Sequence, residues 1–232
     1  INPAFVPTVN GGDGKLKIED ADDWGYQPFL GLTYRLSDRV LFGAVYRAEM
    51  DVDLDGDVKY RNLGALTPSI NSVDIGWDNP QTLEAGLSYR FTDEKTLFIN
   101  AGWQDWSAFS DNELAFERAG VATLDRNWDD TWHAGMALSH IENREGYSVG
   151  FSYESSPVDD DDRTFDLPVD EIYRVSASYS WNGGRRLDYS LGGSLMVFGD
   201  SKIDNTVQGV RVKGDFDNNY LLFLGGTLRY VF

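Results

Sequence analysis

Nine segments of this chain alternate between large apolar side chains and small or polar ones. In each segment most residues at every second position are aliphatic or aromatic, and the residues between them are mainly Gly, Ser, Thr or charged. A period of two is typical of a β-strand whose two faces meet different surroundings. The segments are residues 27–36, 40–50, 82–91, 97–104, 132–139, 147–154, 173–181, 187–197 and 219–232.

The connections between these segments alternate strictly between short and long. Tight turns join the segments on one side, and long polar stretches join them on the other. Transmembrane barrels have this asymmetry, with short periplasmic turns and long extracellular loops, whereas a soluble sandwich has no reason to keep it. We therefore predict an all-β, antiparallel, up-and-down transmembrane β-barrel. The predicted long loops are residues 51–80, 105–130, 155–170 and 199–218.

The chain divides into two predicted regions. Residues 1–26 are rich in Gly, Pro and acidic residues and are predicted to form an extracellular loop and strand lead-in, with residues 15–18 the candidates for extended backbone. Residues 27–232 are predicted to form the barrel wall with its long loops. Because a closed antiparallel barrel normally has an even number of strands, about nine strands imply at least one more upstream. The sequence is therefore expected to be part of a larger barrel.

The last segment shows the two faces of a strand most clearly. Counting in twos, Tyr220, Leu222, Leu224, Leu228 and Tyr230 share one face, which is apolar in the middle and aromatic at both ends. Tyrosine favours the headgroup level of a bilayer. We therefore expect the apolar face of every strand to contact lipid, and the face rich in Gly and Ser to line a lumen.

Four residues on the apolar faces test this orientation. Tyr34, Leu87, Val149 and Leu228 contact hydrocarbon in a barrel. In a soluble sandwich the same side chains pack together in the core between two sheets. Their surroundings therefore separate the two fold classes.

The composition and net charge exclude several kinds of partner and site. The 232 residues include 38 acidic and 20 basic residues, a formal net charge of −18. Phosphate binding needs a basic surface, so nucleic acid is not expected as a partner. The absence of Cys excludes disulfides and thiolate metal sites, and no cofactor or metal is predicted. The sequence has no run of about 18 apolar residues, and its first residues do not resemble a signal peptide, so a mature chain or a fragment is expected.

Several motifs, in this order, resemble the FadL/TodX (OMPP1) family of outer-membrane transporters. The more specific ones are G-W-Q-D-W-S-A-F at residues 102–109 and S-S-P-V-D-D-D-D-R at residues 155–163. Longer similar stretches lie at residues 13–26, 30–47, 127–135, 150–168 and 228–232. The resemblance runs over nearly the whole chain but corresponds to the C-terminal part of the family barrel.

The resemblance implies a barrel of about fourteen strands, closed inside by an N-terminal hatch. It also implies passive uptake of long-chain fatty acids or aromatic hydrocarbons, with outer-membrane lipid and lipopolysaccharide as neighbours. The hatch and the early strands have no counterpart in this sequence, and they are the expected intramolecular partners. A general diffusion porin for polar solutes shares the alternation, and an outer-membrane lipid hydrolase is a third hypothesis.

Some positions predicted to face the lumen are apolar instead of polar. A hydrophobic ligand needs an apolar track, since each buried methylene contributes about 0.8 kcal/mol, and aromatic and Met side chains adapt to ligands of variable shape. These residues are the candidate ligand-binding set, and contact with a plug or loop is the alternative role. They are Phe29, Phe98, Trp106, Met196, Phe198, Leu221 and Phe223.

Other polar motifs favour structural roles. The pattern Asp51-x-Asp53-x-Asp55-Gly56-Asp57 begins like a calcium loop, but Asn62 stands where a bidentate Glu is required, so a strand with acids on one face is favoured. The acidic run at residues 159–162 is a candidate for a divalent ion, although a solvated loop is favoured.

The remaining charged residues give no sign of catalysis. His133 and His140 are predicted to face opposite sides of the wall, and no Ser-His-acid grouping is recognisable, so no enzyme is predicted. Eight charged residues of the polar face are expected to pair within the lumen. They are Arg35, Arg47, Glu49, Glu84, Arg90, Arg174, Asp188 and Arg229.

Overall fold

The computed structural model describes residues 15–61, 72–109, 111–116, 120–164, 167–184, 186–207, 210–216 and 218–230. In these ranges the chain forms sixteen β-strands and a short 3-10 helix, Trp106–Phe109. The strands are β1 Lys15–Asp22, β2 Phe29–Ser37, β3 Val40–Arg47, β4 Met50–Arg61, β5 Ser72–Asn79, β6 Thr82–Arg90, β7 Lys95–Gln104, β8 Asp111–Phe116, β9 Gly120–Asp125, β10 Thr131–Glu142, β11 Glu145–Glu154, β12 Ile172–Asn182, β13 Leu187–Phe198, β14 Ile203–Val207, β15 Val210–Gly214 and β16 Tyr220–Tyr230. None of the described residues belongs to a helix long and apolar enough to cross a membrane.

The nine alternating segments form one antiparallel sheet. Its strand order is β16-β13-β12-β11-β10-β7-β6-β3-β2, so each strand pairs with its neighbours in the series. This is the up-and-down arrangement that the alternation predicted, and the all-β antiparallel fold is confirmed. Among the described residues, β2 and β16 each have one neighbour in this sheet, so the barrel is not closed.

The two faces of the nine-stranded sheet differ in exposure as the barrel hypothesis requires. From Tyr147 to Ser152 in β11 and from Tyr173 to Ser176 in β12, the large apolar residues are exposed and the residues between them are half-buried. We call the face with the large apolar residues the outer face. The opposite face, which carries Gly43, Gly102, Gly150 and Ser176, is the inner face.

The four test residues separate the two fold classes. Tyr34 is 59% exposed, Val149 is 49% exposed and Leu228 is 64% exposed, while Leu87 is half-buried. Within the part of the chain that the structure describes, every buried apolar side chain lies outside the nine-stranded sheet. These buried residues are Val58, Val73, Trp128, Val158 and Ile203. The outer face is therefore not the core of a soluble sandwich.

Aromatic residues border the outer face at both ends. At the end with the long connections, Tyr153 lies 5.2 Å from Trp132 and 5.1 Å from Tyr173 between ring centroids. At the end with the short turns, Trp181 lies 5.9 Å from Tyr179 and 5.4 Å from Tyr189. These are the two interfacial girdles of a membrane barrel.

The length of the last strand fits a bilayer. Tyr220 and Tyr230 bound β16, which gives about 33 Å along the strand at roughly 3.3 Å per residue. A tilt of about 40° reduces this to about 25 Å, close to the height of the apolar band of outer-membrane barrels.

A second unit of the chain, residues 1–27, 49–79 and 108–126, contains a five-stranded antiparallel sheet. Its order is β1-β4-β5-β8-β9, so four strands lie in stretches that were predicted as the loops 51–80 and 105–130. In β4 the acids alternate with Val52, Leu54 and Val58, and Val58 is buried. The strand interpretation of the Asp51–Asp57 pattern is thus confirmed, and the long stretches have a period of two that the overall polarity obscured.

The long connections that belong to the same unit as the nine-stranded sheet are tied together by one buried arginine. Arg163 is 2% exposed and donates hydrogen bonds to the carbonyl oxygens of Val158 at 3.0 Å, of Val169 at 2.7 Å, and of Lys202. Its guanidinium also pairs with Asp160 at 2.6 Å and with Asp170 at 3.2 Å. The connection before β12 is therefore fixed to the one after β13.

The acidic run at residues 159–162 takes part in this packing. The Asp160 carboxylate binds Arg163, and the Asp162 carboxylate accepts a hydrogen bond from the Asn127 amide at 2.8 Å. The backbone oxygen of Asp160 accepts the amide proton of Asp204 at 2.9 Å. Among the described residues, no group of His, Asp and Glu side chains is arranged to hold a metal ion.

Candidate functional site

The inner face is crowded around Gly102 and Gly135, where the missing side chains make room for neighbouring ones. A Cβ atom at Gly102 would lie 2.7 Å from the carboxylate of Glu84 and would overlap the ring of His133. A Cβ atom at Gly135 would lie 2.8 Å from the side-chain oxygen of Asn100. Crowding of this kind is expected where side chains converge on the concave side of a curved sheet.

Four of the predicted ligand-binding residues form an apolar patch on the inner face. Met196 in β13 lies directly opposite Leu221 in β16, and Phe223 lies two residues further along β16, opposite Ser194. Phe198 ends β13 opposite Ile172 in β12. We call Ile172, Met196, Phe198, Leu221 and Phe223 the inner apolar patch, and it lies toward the end with the long connections. Ile172 was missed because it stands at a strand end, where the alternation alone is ambiguous.

The other three predicted residues lie apart from this patch. Phe29 begins the edge strand β2. Phe98 lies in the half of β7 near the short turn, where it borders a depression of about 300 Å³ with Arg35 and Arg90. Trp106 lies in the 3-10 helix, with its ring 5.3 Å from that of Trp128. Their role in ligand binding stays a prediction.

A second depression lies on the inner face of β2, β3, β6 and β7. It has a volume of about 410 Å³ and is bordered by glycines, by apolar residues and by the polar residues Thr33, Glu84 and Asn100. The glycines are Gly31, Gly43 and Gly86. Gly43 pairs with Gly86 on one side and with Thr33 on the other, and Gly31 lies two residues from Thr33 along β2. The signal in the sequence was a glycine near the middle of each strand, but only the pairing shows that they are neighbours.

Two charged residues of the inner face, Glu84 and Asp188, pair with residues outside the predicted set of eight. Glu84 lies 2.9 Å from the Nε2 atom of His133, across Gly102. Asp188 pairs with Arg144 in the short turn between β10 and β11. Both carboxylates therefore have a basic partner, and each partner is a residue outside the set of eight.

The two histidines lie on opposite faces, as predicted. His133 pairs with Gly102 of the inner face in register, and the ring of His140 lies 5.4 Å from that of Tyr147, an exposed residue of the outer face. A shared metal or catalytic site between them is therefore excluded by geometry.

Carboxylates at the long connections carry shifted pKa values. A hydrogen bond from the protonated Glu171 carboxyl to the Asp170 carboxylate raises the pKa of Glu171, and burial adds to this. In the β14–β15 hairpin, hydrogen bonds from Arg211 and Lys213 lower the pKa of Asp204 to about 2. Asp204 is thus ionised and paired throughout the physiological pH range.

These features define a class of protein. An antiparallel sheet with an exposed apolar outer face, aromatic girdles and a crowded, small-residue inner face is the wall of a transmembrane β-barrel. Such barrels belong to the outer membrane of bacteria.

The chain belongs to the outer membrane protein transport protein family (OMPP1/FadL/TodX), whose family model matches residues 2–232. The long-chain fatty acid transport protein of Escherichia coli O6:H1 is 22% identical over 211 residues, which cover 81% of this chain and 46% of that protein. The family resemblance and the outer-membrane location are confirmed.

Solved structures show the same fold. A Pseudomonas aeruginosa FadL homologue superposes with a TM-score of 0.70 at 18% identity, over 86% of this chain and 50% of that one. The Ralstonia pickettii toluene transporter TbuX superposes with a TM-score of 0.62 at 17% identity, over 94% of this chain and 51% of that one. The chain thus spans about half the length of the relatives it matches.

Proposed function

We propose that this chain forms part of the wall of an outer-membrane channel that takes up hydrophobic molecules by passive diffusion. The inner apolar patch carries the proposal, because a lumen that conducts only polar solutes gains nothing from clustered Met, Leu and Phe side chains. Relatives are named as transporters of long-chain fatty acids and of toluene, which supports a fatty acid or an aromatic hydrocarbon as the ligand. The protein is proposed to act without catalysis.

The patch offers a continuous surface for such a ligand. Leu221 and Phe223 are exposed at 48% and 53%, and Met196 is half-buried beside Leu221. Burial of a single large apolar side chain contributes about 1.5–3 kcal/mol. Two such contacts therefore contribute about 3–6 kcal/mol, which by itself corresponds to a dissociation constant between roughly 6 mM and 40 μM.

The experiment compares the two faces of one strand. In the complete protein, the double change Leu221→Ala and Phe223→Ala removes inner-face contacts, and the control Leu222→Ala and Leu224→Ala removes outer-face contacts of the same strand. Binding is measured by displacement of a neutral fluorescent probe, with a long-chain fatty acid and with toluene. We expect the inner-face variant to weaken binding about tenfold or more, from the lost burial, and the control to stay within about twofold. Equal effects of the two variants would contradict the proposal.

The open edges of the sheet support further strands as partners. Both edge strands, β2 and β16, have all of their described residues exposed, and an unpaired strand edge in hydrocarbon leaves backbone groups unsatisfied at several kcal/mol each. We propose that strands and a hatch from elsewhere in the same protein close the barrel, and that outer-membrane lipid and lipopolysaccharide surround it. The test is refolding of residues 1–232 alone in lipid vesicles, where we expect no heat-modifiable band on electrophoresis.

Two other functions make different predictions. A general porin would give a stable ionic conductance in planar bilayers, which an apolar track does not. A lipid hydrolase would need a nucleophilic hydroxyl beside His133, whereas within the described ranges the hydrogen-bond partner of its ring is Glu84. Loss of phospholipid hydrolysis in a His133→Ala variant would favour the hydrolase.

A further inference from the structure

One arginine interrupts the inner apolar patch. Arg174 in β12 lies directly opposite Met196 in β13, which lies directly opposite Leu221 in β16. In the row nearer the long connections, Ile172 faces Phe198. Residues paired in this way have Cα atoms about 5 Å apart, so Arg174 is a direct neighbour of the inner apolar patch on the same face.

The charge of Arg174 is not balanced within the described structure. Arg144, Arg163 and Arg211 are all engaged by carboxylates, but no hydrogen bond or ion pair of the described residues involves the half-buried Arg174. Its neighbour on the other side is Ser152 in β11. Glu154 lies two residues further along β11, opposite Ile172, and forms no ion pair with it.

An unpaired guanidinium beside apolar side chains fits one chemical class of ligand. A half-buried charge is unfavourable until an opposite charge or hydrogen-bond acceptor reaches it. The planar guanidinium matches a carboxylate in a bidentate arrangement. An apolar chain joined to a carboxylate satisfies Arg174 and the patch together, whereas a neutral hydrocarbon satisfies only the patch.

We propose that Arg174 anchors the head of an anionic amphiphile, a long-chain carboxylate, while Met196, Leu221 and Phe223 hold its apolar chain. Arg174 is thereby the residue that favours fatty acids over neutral hydrocarbons. This inference rests on the proposed function, because it assigns a ligand class to the same inner apolar patch.

The experiment distinguishes binding of the ligand's carboxylate from binding of its hydrocarbon chain. The complete protein in neutral detergent is tested with oleate, with oleyl alcohol, which has the same chain without the charge, and with toluene, by displacement of N-phenylnaphthylamine. Arg174→Gln removes the charge, Arg174→Lys keeps it, and Arg229→Gln is the matched control, because Arg229 lies on the inner face of β16 opposite Asp188. Heat-shifted electrophoretic mobility confirms that each variant is folded.

We expect Arg174→Gln to weaken oleate binding about tenfold or more, as loss of a charge-assisted hydrogen bond predicts. Binding of oleyl alcohol and toluene should stay within about twofold. Arg174→Lys should retain most of the oleate affinity, and Arg229→Gln should change none of the three.

Two patterns of loss in Arg174→Gln would overturn the inference. One is an equal loss for oleate and oleyl alcohol in Arg174→Gln, which would make Arg174 a packing residue. The other is an equal loss for toluene, which would indicate a cation–π contact with the ring instead. If the Leu221→Ala and Phe223→Ala variant also binds all three ligands normally, the proposed function itself fails. If that variant is impaired and Arg174→Gln is not, only the anchor is wrong.

Discussion

The orientation of the sheet predicts opposite effects for a charge placed on two adjacent residues of β12. Val175 is on the outer face and is 58% exposed, two residues from Tyr173 in one aromatic girdle and four from Tyr179 in the other. Ser176 is the next residue along the strand and lies on the inner face, opposite Gly150 and Ser194. The changes Val175→Lys and Ser176→Lys therefore introduce the same charge at nearly the same depth on opposite faces.

The expected magnitudes follow from the surroundings of each side chain. On the lipid face of an outer-membrane barrel, Lys costs about 2–4 kcal/mol at the midplane and much less near the interfaces. Val175 is about 7 Å along the strand from Tyr173, so the cost in Val175→Lys should be about 2 kcal/mol, or roughly a thirtyfold change in the folding equilibrium. Ser176→Lys extends into the lumen above a glycine and should stay within about 1 kcal/mol.

The assay is urea unfolding of the complete protein in lipid vesicles, followed by tryptophan fluorescence and by heat-shifted electrophoretic mobility. Equal midpoints for Val175→Lys and the unmodified protein would refute the lipid contact, because an exposed Val in water tolerates Lys. A larger loss in Ser176→Lys than in Val175→Lys would reverse the assigned faces.

Three further predictions concern other contacts. Gly102→Ala should destabilise the barrel by about 1–3 kcal/mol, because the new methyl group overpacks against the Glu84–His133 pair. Gly43→Ala is the control and should cost about 1 kcal/mol or less, because its Cβ would meet only a carbonyl oxygen at 3.8 Å. Urea unfolding measures the stability of both variants. Arg163→Met should raise hydrogen exchange throughout residues 156–163 and 199–205 by the equivalent of about 3 kcal/mol, while the exposed Lys202→Ala should change it little. Arg211 and Lys213 lower the pKa of Asp204 to about 2. The stabilisation that these two ion pairs give the β14–β15 hairpin should therefore be constant above about pH 4, the ordinary pKa of Asp, and should decline as the pH falls toward 2. A carboxyl titration followed by NMR measures this pKa.

Each of these has a result that contradicts it. Equal stability of the two alanine variants would show that the inner face is not crowded at Gly102. Unchanged exchange in Arg163→Met would show that the buried guanidinium does not hold the long connections together. A normal carboxyl titration midpoint at Asp204, near 4, would mean that its two ion pairs do not persist in solution.

The wall strands were predictable from the sequence because their signal is local. Alternation of apolar and polar residues identifies each of the nine segments, and the short and long connections define which ends of the strands lie together. The five-stranded sheet was not predicted, although Asp51–Asp57 alternates as regularly as any wall strand. There the acidic residues dominate the composition, and the pairing of β4 with β1 and β5 supplies the stabilisation that the segment lacks alone.

The site was predictable only in part. Met196, Phe198, Leu221 and Phe223 were identified because an apolar residue at a polar position breaks a local pattern. That the four adjoin one another while Phe98 stands apart depends on the pairing of β13 with β16.

The sequence by itself determined the nine wall strands, the direction that each of their side chains faces and the environment that each face requires, because a period of two is a property of neighbouring residues. The tertiary structure alone decided which residues meet across strands. It places Arg174 beside Met196, pairs Glu84 with His133 over Gly102, and buries Arg163 between two long connections. The physical reason is register: alignment between strands far apart in sequence is set by the whole ladder of hydrogen bonds and by the connections, and no local pattern encodes it.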